Sequence, residues 1–197
     1  AVEITALDEA DQMADMGFEV VHVYGLTETY GPSVVCAWKG EWDSRNRGER
    51  ARLKVRQGVP NIALSEMMVA DPETLEPVPA DGTTMGEVFM RGNNVMKGYL
   101  KNPSSTEKAF RGGWFHTGDL GRLDERGFLF ITGRESDMYI SGGSNVYPRE
   151  VEEALLTADG VAEVAVVGEA DAEWGENVVA FVVAQAGAAL TEAALDA

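Results

Sequence analysis

Between Gly58 and Gly133 the chain is cut every few residues by glycine or proline, and the runs between the cuts are short and apolar. That spacing leaves no room for long helices but suits strands of about four to eight residues. Residues 67–70 and 86–92 read as strands, with a turn at Asp71-Pro72 after the first. Residues 119–123 and 128–132 read as a hairpin around the turn at residues 124–127. The middle of the chain is therefore expected to be an antiparallel sheet or small barrel.

The flanks have a different texture. Thr5 and Asp8 suit the start of a helix through Met16, with Leu7, Ala10, Met13 and Ala14 on one face and Gly17 as its stop. Residues 18–24 (FEVVHVY) then read as a short buried strand. Helix, glycine turn and buried strand make half of an α/β unit that lacks the strands it should pair with. Beyond Gly133, Tyr147-Pro148 opens a helix running through Val151, Ala154 and Leu155. Residues 162–167 and 178–184 read as two strands separated by an acidic loop, so a small α+β domain is expected from about residue 135.

Charge narrows the partners. Sixteen Lys and Arg stand against 33 Asp and Glu, a formal net charge of −17, which repels a phosphate backbone and argues against nucleic acid. Residues 1–38 and 151–197 contain no Lys or Arg, yet both stretches keep apolar periodicity and read as folded elements with solvated faces. No apolar run approaches the roughly 20 residues of a membrane span. The single cysteine, Cys36, permits neither an internal disulfide nor a cysteine zinc site, which fits a reducing compartment such as the cytoplasm.

Three short motifs offer chemistry. The first is Tyr24-Gly25-Leu26-Thr27-Glu28-Thr29, after the expected strand. Here glycine lets backbone approach a phosphate, threonine offers a hydroxyl, glutamate can hold Mg²⁺, and Tyr24 offers an aromatic face. An ordinary turn reads equally well. The second is Trp114-Phe115-His116-Thr117-Gly118-Asp119. Its Asp119 carboxylate can accept from two adjacent ribose hydroxyls, or simply cap a turn, and His116 has no nucleophile or partner acid at meaningful spacing. In the third, Gly133-Arg134-Glu135-Ser136-Asp137 precedes Ser141-Gly142-Gly143-Ser144-Asn145. Arg134 falls at the change of texture, where its guanidinium suits phosphate or ribose oxygens.

In this order, YGLTE, WFHTGD, GR-x-x-D and GG-x-N-x-Y-P-x-E-V-E resemble the AMP-forming acyl-CoA synthetases of the adenylate-forming superfamily. The resemblance spans nearly the whole chain. The stretch YGPSVVCAWKGEWD is more similar to the branch activating short and medium carboxylic acids than to the luciferases. The fold implied is mixed α/β and α+β. Residues 1–133 would be the C-terminal portion of the large AMP-binding domain, 134–137 a hinge, and 138–197 part of the small lid domain.

The resemblance implies that Tyr24, with Gly25 beside it, stacks on adenine, that Thr27 contacts the phosphates, and that Glu28 holds Mg²⁺. It implies that Asp119 and Arg134 reach the ribose, that Gly142 and Gly143 line the CoA tunnel, and that Tyr30 and Gly31 border the acid pocket. The hinge position holds Ser136, where relatives usually carry Asp or Lys. The reaction implied is two-step: a carboxylate and ATP give an acyl-adenylate and pyrophosphate, and CoA then displaces AMP. The family's upstream phosphate loop has no counterpart here, and no Lys follows Lys108 to serve as its catalytic lysine. The chain is thus expected to be an internal portion of a synthetase, carrying nucleotide contacts without full catalysis. The alternative is a non-catalytic nucleotide-binding or interaction module on the same fold.

Overall fold

A computed structural model describes residues 12–191 and 195. Most of the helix expected over residues 5–16 lies outside the described residues. Residues 12–15 are helical. Gly17 (φ 85°) ends the helix, with its N–H donating to the Ala14 carbonyl and that of Phe18 to the Met13 carbonyl.

The chain divides into two compact units, one running to Thr132 and the other from Gly133 onward. In the first, β1 (Val23–Leu26), β2 (Gly31–Val35) and β3 (Val59–Pro60) form a small sheet in that order. The buried strand expected over residues 18–24 is corrected here: residues 18–22 form no strand, and Phe18 is 57% exposed. Among the described residues β1 pairs antiparallel with β2 and lies at the edge of its sheet, without the flanking strands that bury a parallel strand on both sides. Between β2 and β3 lies α1 (Arg47–Lys54), which the hydrophobic pattern did not announce. Its signal is a capping box: Asn46 accepts from the Glu49 N–H, and the Glu49 carboxylate accepts from the Asn46 N–H.

The larger sheet runs β4 (Leu64–Ala70), β5 (Gly86–Gly92), β6 (Phe115–Leu123) and β7 (Leu129–Arg134) in that order, the antiparallel meander expected. β5 has neighbours on both sides and is buried over its first five residues. Val88 and Met90 join Val34, Leu64, Val69, Phe115 and Leu129 in the main core. A second cluster gathers Cys36, Trp42 and Phe128, with Trp38 and Leu53 against it. α2 (Pro103–Ala109), also unannounced, starts at Asn102, whose side chain accepts from the Ser105 N–H, with Pro103 in its first turn.

The second unit opens with β8 (Tyr139–Ser141) and β9 (Ser144–Val146), a hairpin whose two-residue turn is Gly142-Gly143. Both glycines have positive φ (57° and 82°), as the tight primed turns require. α3 (Pro148–Leu156), β10 (Val161–Asp171) and β11 (Gly175–Ala184) follow, and the sheet order is β10-β11-β8-β9. The Gly142 N–H donates to the Trp174 carbonyl, and a Cβ added at Gly142 would stand 2.7 Å from the Trp174 ring.

Three turn aspartates, Asp71, Asp81 and Asp171, accept backbone N–H groups within the next three residues, which holds their carboxyls below the ordinary value. For Asp81 the Thr84 N–H is the leading cause. A depressed folded-state value gives stability that is fully present above the unfolded value, about 4. That stability is lost as pH falls through the lower folded-state value. Asp81→Asn is therefore expected to lower the melting temperature at pH 7, with the gap from wild type closing in acid below pH ~4.

Candidate nucleotide site

The first motif forms a brace. After β1 the chain makes one 3₁₀ turn, Thr27–Thr29, and leaves it through Tyr30 in the left-handed region (φ 56°). Thr29 is buried, and its hydroxyl is within hydrogen-bond distance of the Leu26 N–H, the Leu26 carbonyl and the Gly31 carbonyl, closing the turn on itself. The loop after β5 clamps it from outside. The Met96 N–H donates to the Glu28 carbonyl at 2.7 Å, and Asn94 Nδ2 donates to the Thr29 carbonyl and Ser33 Oγ. The Tyr99 hydroxyl donates to Glu28 Oε1 at 3.1 Å. Burial first, and the Glu28 carboxylate second, push the Tyr99 phenol above its ordinary value, so it remains a donor at neutral pH.

Gly25 is required by packing. A Cβ there would lie 2.1 Å from the Gly31 carbonyl oxygen, so the β1–β2 hairpin closes only with glycine at this point. Thr27, Tyr30 and Gly25 are exposed, while Tyr24, Glu28 and Gly31 are half-buried.

The second motif sits on β6 where the register slips. Glu87 of β5 faces Leu120 and Phe89 faces His116, so Thr117, Gly118 and Asp119 bulge opposite Val88. Gly118 supplies the positive φ (70°). Glu87, only 1% exposed, holds the bulge from behind: one carboxylate oxygen accepts the Gly118 N–H at 3.0 Å, and the other lies 3.0 Å from His116 Nδ1. His116 Nε2 is 3.1 Å from the Arg111 carbonyl, so this histidine is a bracket; the partner acid that sequence spacing did not offer is Glu87, brought beside it from the neighbouring strand. Thr117 Oγ1 donates to the Val88 carbonyl and accepts the Asp119 N–H.

These two pieces meet. The Tyr24 hydroxyl donates to Asp119 Oδ2 at 2.5 Å, across 95 positions of sequence. Of the residues singled out from sequence, Tyr24, Gly25, Thr27, Glu28, Tyr30, Gly31 and Asp119 belong to the first unit, whereas Arg134, Ser136, Gly142 and Gly143 belong to the second. Arg134 ends β7, Ser136 lies in a 3₁₀ turn, and the glycines make the β8–β9 turn. Sequence reasoning passed over Glu87, Asn94 and Tyr99. Only Glu87 had a visible signal, a carboxylate inside the apolar run GEVFM.

Glu87→Gln is expected to cost about 1–3 kcal/mol in urea unfolding, because an amide has one acceptor oxygen for the two groups that Glu87 now holds. Faster amide exchange at Gly118 and Asp119 would accompany it.

The chemistry of the donors also suits a magnesium ion. Mg²⁺ is commonly held by one or two carboxylates together with substrate phosphates. Glu28 offers one carboxylate, with Oε1 already steadied by Tyr99. Among the described residues no group of three or more His, Cys, Asp or Glu could hold a metal unaided. Cys36 is unsuited to be a nucleophile, because burial pushes its thiol up despite the Arg56 guanidinium beside it.

Residues 6–100 match the AMP-binding enzyme family, and residues 150–197 match the AMP-binding enzyme C-terminal domain. The chain belongs to the AMP-binding enzyme family. An acetate–CoA ligase of Humulus lupulus is 55% identical over 170 residues, covering 86% of this chain and 30% of that protein. A peroxisomal acetate/butyrate–CoA ligase of Arabidopsis thaliana is 48% identical with the same two coverages. ATP-bound MatB from Rhodopseudomonas palustris superposes with a TM-score of 0.79 at 37% identity, covering 96% of this chain and 35% of that one. The chain thus spans 30% of the length of these two curated relatives, and its fold is that of the C-terminal part of the adenylate-forming enzymes. Among the described residues of this family member, no helix is long and apolar enough to cross a membrane.

Proposed function

We propose that this chain supplies the nucleotide-binding portion of an AMP-forming carboxylate–CoA ligase. The observation that carries the reading is the Tyr24–Asp119 hydrogen bond, which joins an aromatic ring and a ribose-binding carboxylate in one place. In the reaction, a carboxylate oxygen attacks the α-phosphorus of ATP and pyrophosphate leaves, giving an acyl-adenylate. The CoA thiol, losing its proton, then attacks the acyl carbon and AMP leaves.

Tyr24 presents its ring to adenine while its hydroxyl keeps Asp119 aimed at the ribose, where the carboxylate accepts from both hydroxyls. Thr27, exposed on the braced turn, donates to the phosphates. Glu28, steadied by Tyr99, would hold Mg²⁺, which offsets charge developing on the phosphates when bound. Arg134 reaches the ribose, Ser136 serves as the hinge and Gly142-Gly143 borders the pantetheine path, each as the family resemblance implies. Tyr30 and Gly31 border the acid. Positioning and preorganised charge supply most of the acceleration in such a site. Relatives named for acetate and butyrate support a short carboxylic acid as the substrate. We place the protein in the cytoplasm, where its single buried thiol stays reduced. Because three of the relatives are named peroxisomal, a fluorescent fusion decides the point.

Calorimetric titration of this chain with a non-hydrolysable acyl-AMP mimic tests the site. Saturable binding, displaced by AMP, is expected. The assignment fails if Tyr24→Ala and Asp119→Ala bind the mimic as wild type does.

A further inference from the structure

Seven of the sixteen basic residues fall in one short stretch: Lys39, Arg45, Arg47, Arg50, Arg52, Lys54 and Arg56. In a chain of net charge −17 that concentration is an anomaly, and the nucleotide site uses none of it. The fold gathers part of it around a hollow of about 500 Å³ in the first unit, lined by Lys39, Arg45 and Arg126 together with Glu41, Trp42 and Phe128. The volume lies in the range of small-molecule sites, about 300–1,000 Å³. An adjoining hollow of about 260 Å³ shares Trp42, Arg45 and Arg126 and adds Arg52.

The aromatic residues of the hollow have cationic groups near their rings. Trp42 and Phe128 are each 4% exposed, with ring centroids 6.2 Å apart. The Lys39 ammonium stands 5.6 Å and 5.7 Å from the two centroids. The Arg56 guanidinium lies 3.7 Å from the Phe128 centroid and 5.1 Å from that of Trp42. Arg56, behind the two rings, is only 5% exposed; its Nε donates to the Leu53 carbonyl and its guanidinium lies beside the Cys36 thiol, while among the described residues its Nη2 has no geometric hydrogen-bond partner. Burying a guanidinium with an unmet donor is costly, and ring faces offset only part of that cost. Among the described residues Arg45 pairs with Glu49, at 3.7 Å with both side chains about half exposed, a pair weak enough to exchange for another anion. Among the described residues, Glu41 is the carboxylate that lines the larger hollow.

We propose that this hollow is a binding site for a phosphate-bearing anion of charge −2 or more. Two guanidiniums and an ammonium around one space suit phosphate oxygens, which planar guanidinium groups take bidentately. A monocarboxylate would leave most of the cations unpaired. The site shares no residue with the nucleotide site, so it stands or falls separately from the ligase reading.

The test uses the whole chain, with tryptophan fluorescence as the readout because Trp42 forms a wall. Inorganic pyrophosphate and glycerol 3-phosphate are titrated separately, against sodium chloride at matched ionic strength. A saturable change with either phosphate compound supports the site. Tighter binding of pyrophosphate marks a free polyphosphate as the ligand, and tighter binding of glycerol 3-phosphate marks a phosphate ester. Arg126→Ala and Arg45→Ala are each expected to weaken binding by about tenfold or more, while Lys108→Ala on α2 leaves it unchanged. Circular dichroism melts establish that the variants are folded. The proposal is overturned if neither compound exceeds the chloride control, or if both arginine variants bind as wild type does.

Discussion

Asp119→Ala is expected to weaken AMP binding by this chain by about 10- to 100-fold in calorimetric titration, the usual worth of hydrogen bonds to a charged group. Two features make the effect large. The carboxylate is buried, so it arrives already desolvated and aimed, held by the Tyr24 hydroxyl and by the bulge that Glu87 braces. Its replacement also removes the acceptor of the Tyr24 hydroxyl's 2.5 Å hydrogen bond. Tyr24→Phe separates the two roles of the tyrosine: it keeps the ring for stacking but releases Asp119, and a smaller loss of about two- to tenfold is expected. Should Tyr24→Phe prove as damaging as Asp119→Ala, the tyrosine hydroxyl itself contacts the nucleotide and the division of labour drawn here is wrong.

Gly25→Ala is expected to destabilise the first unit by about 3 kcal/mol or more in urea unfolding. The added methyl would meet the Gly31 carbonyl oxygen at 2.1 Å, and backbone cannot step aside as a flexible side chain would. Relief requires the β1–β2 hairpin to open. That hairpin carries Tyr24 at one end and frames the Thr27–Thr29 turn at the other. Nucleotide binding should therefore fall together with stability. By contrast, Gly143→Ala meets nothing within 4 Å and costs only the strain of a left-handed alanine. A comparable loss of stability from both substitutions would show that steric overlap is not what makes Gly25 special.

Much of the sheet was legible because turn residues are local signals. Asp71-Pro72 and the turn at residues 124–127 lie where the structure turns, and strand limits differ from expectation by a few residues. Residues 18–24 misled for a physical reason. A run of valines and aromatics has the composition of a buried strand, but burial depends on neighbours, and here the run leads into an edge strand. The helix α1 was missed because its interior is rich in arginine and lysine, which hides the apolar face, although Asn46 and Glu49 announce its start. Of the candidate site, Tyr24, Glu28 and Asp119 were named from their side-chain chemistry and the order of their motifs. The groups that hold them were not: Tyr99 carries no periodic signal, and Glu87 reads as an exposed strand residue until its strand proves central.

By itself, then, the sequence determined many of the chain's turns, the antiparallel character of its middle section, and which short motifs carry polar groups next to glycine. Each of these follows from constraints acting within a few residues, such as φ at glycine, the missing N–H of proline, and alternation along a strand. The tertiary structure alone decided that Tyr24 meets Asp119, that Glu87 is buried behind the bulge, and that Arg126 joins Lys39 and Arg45 around one hollow. Those contacts join residues 29 to 95 positions apart, and they exist only once strand register and core packing have fixed the distances.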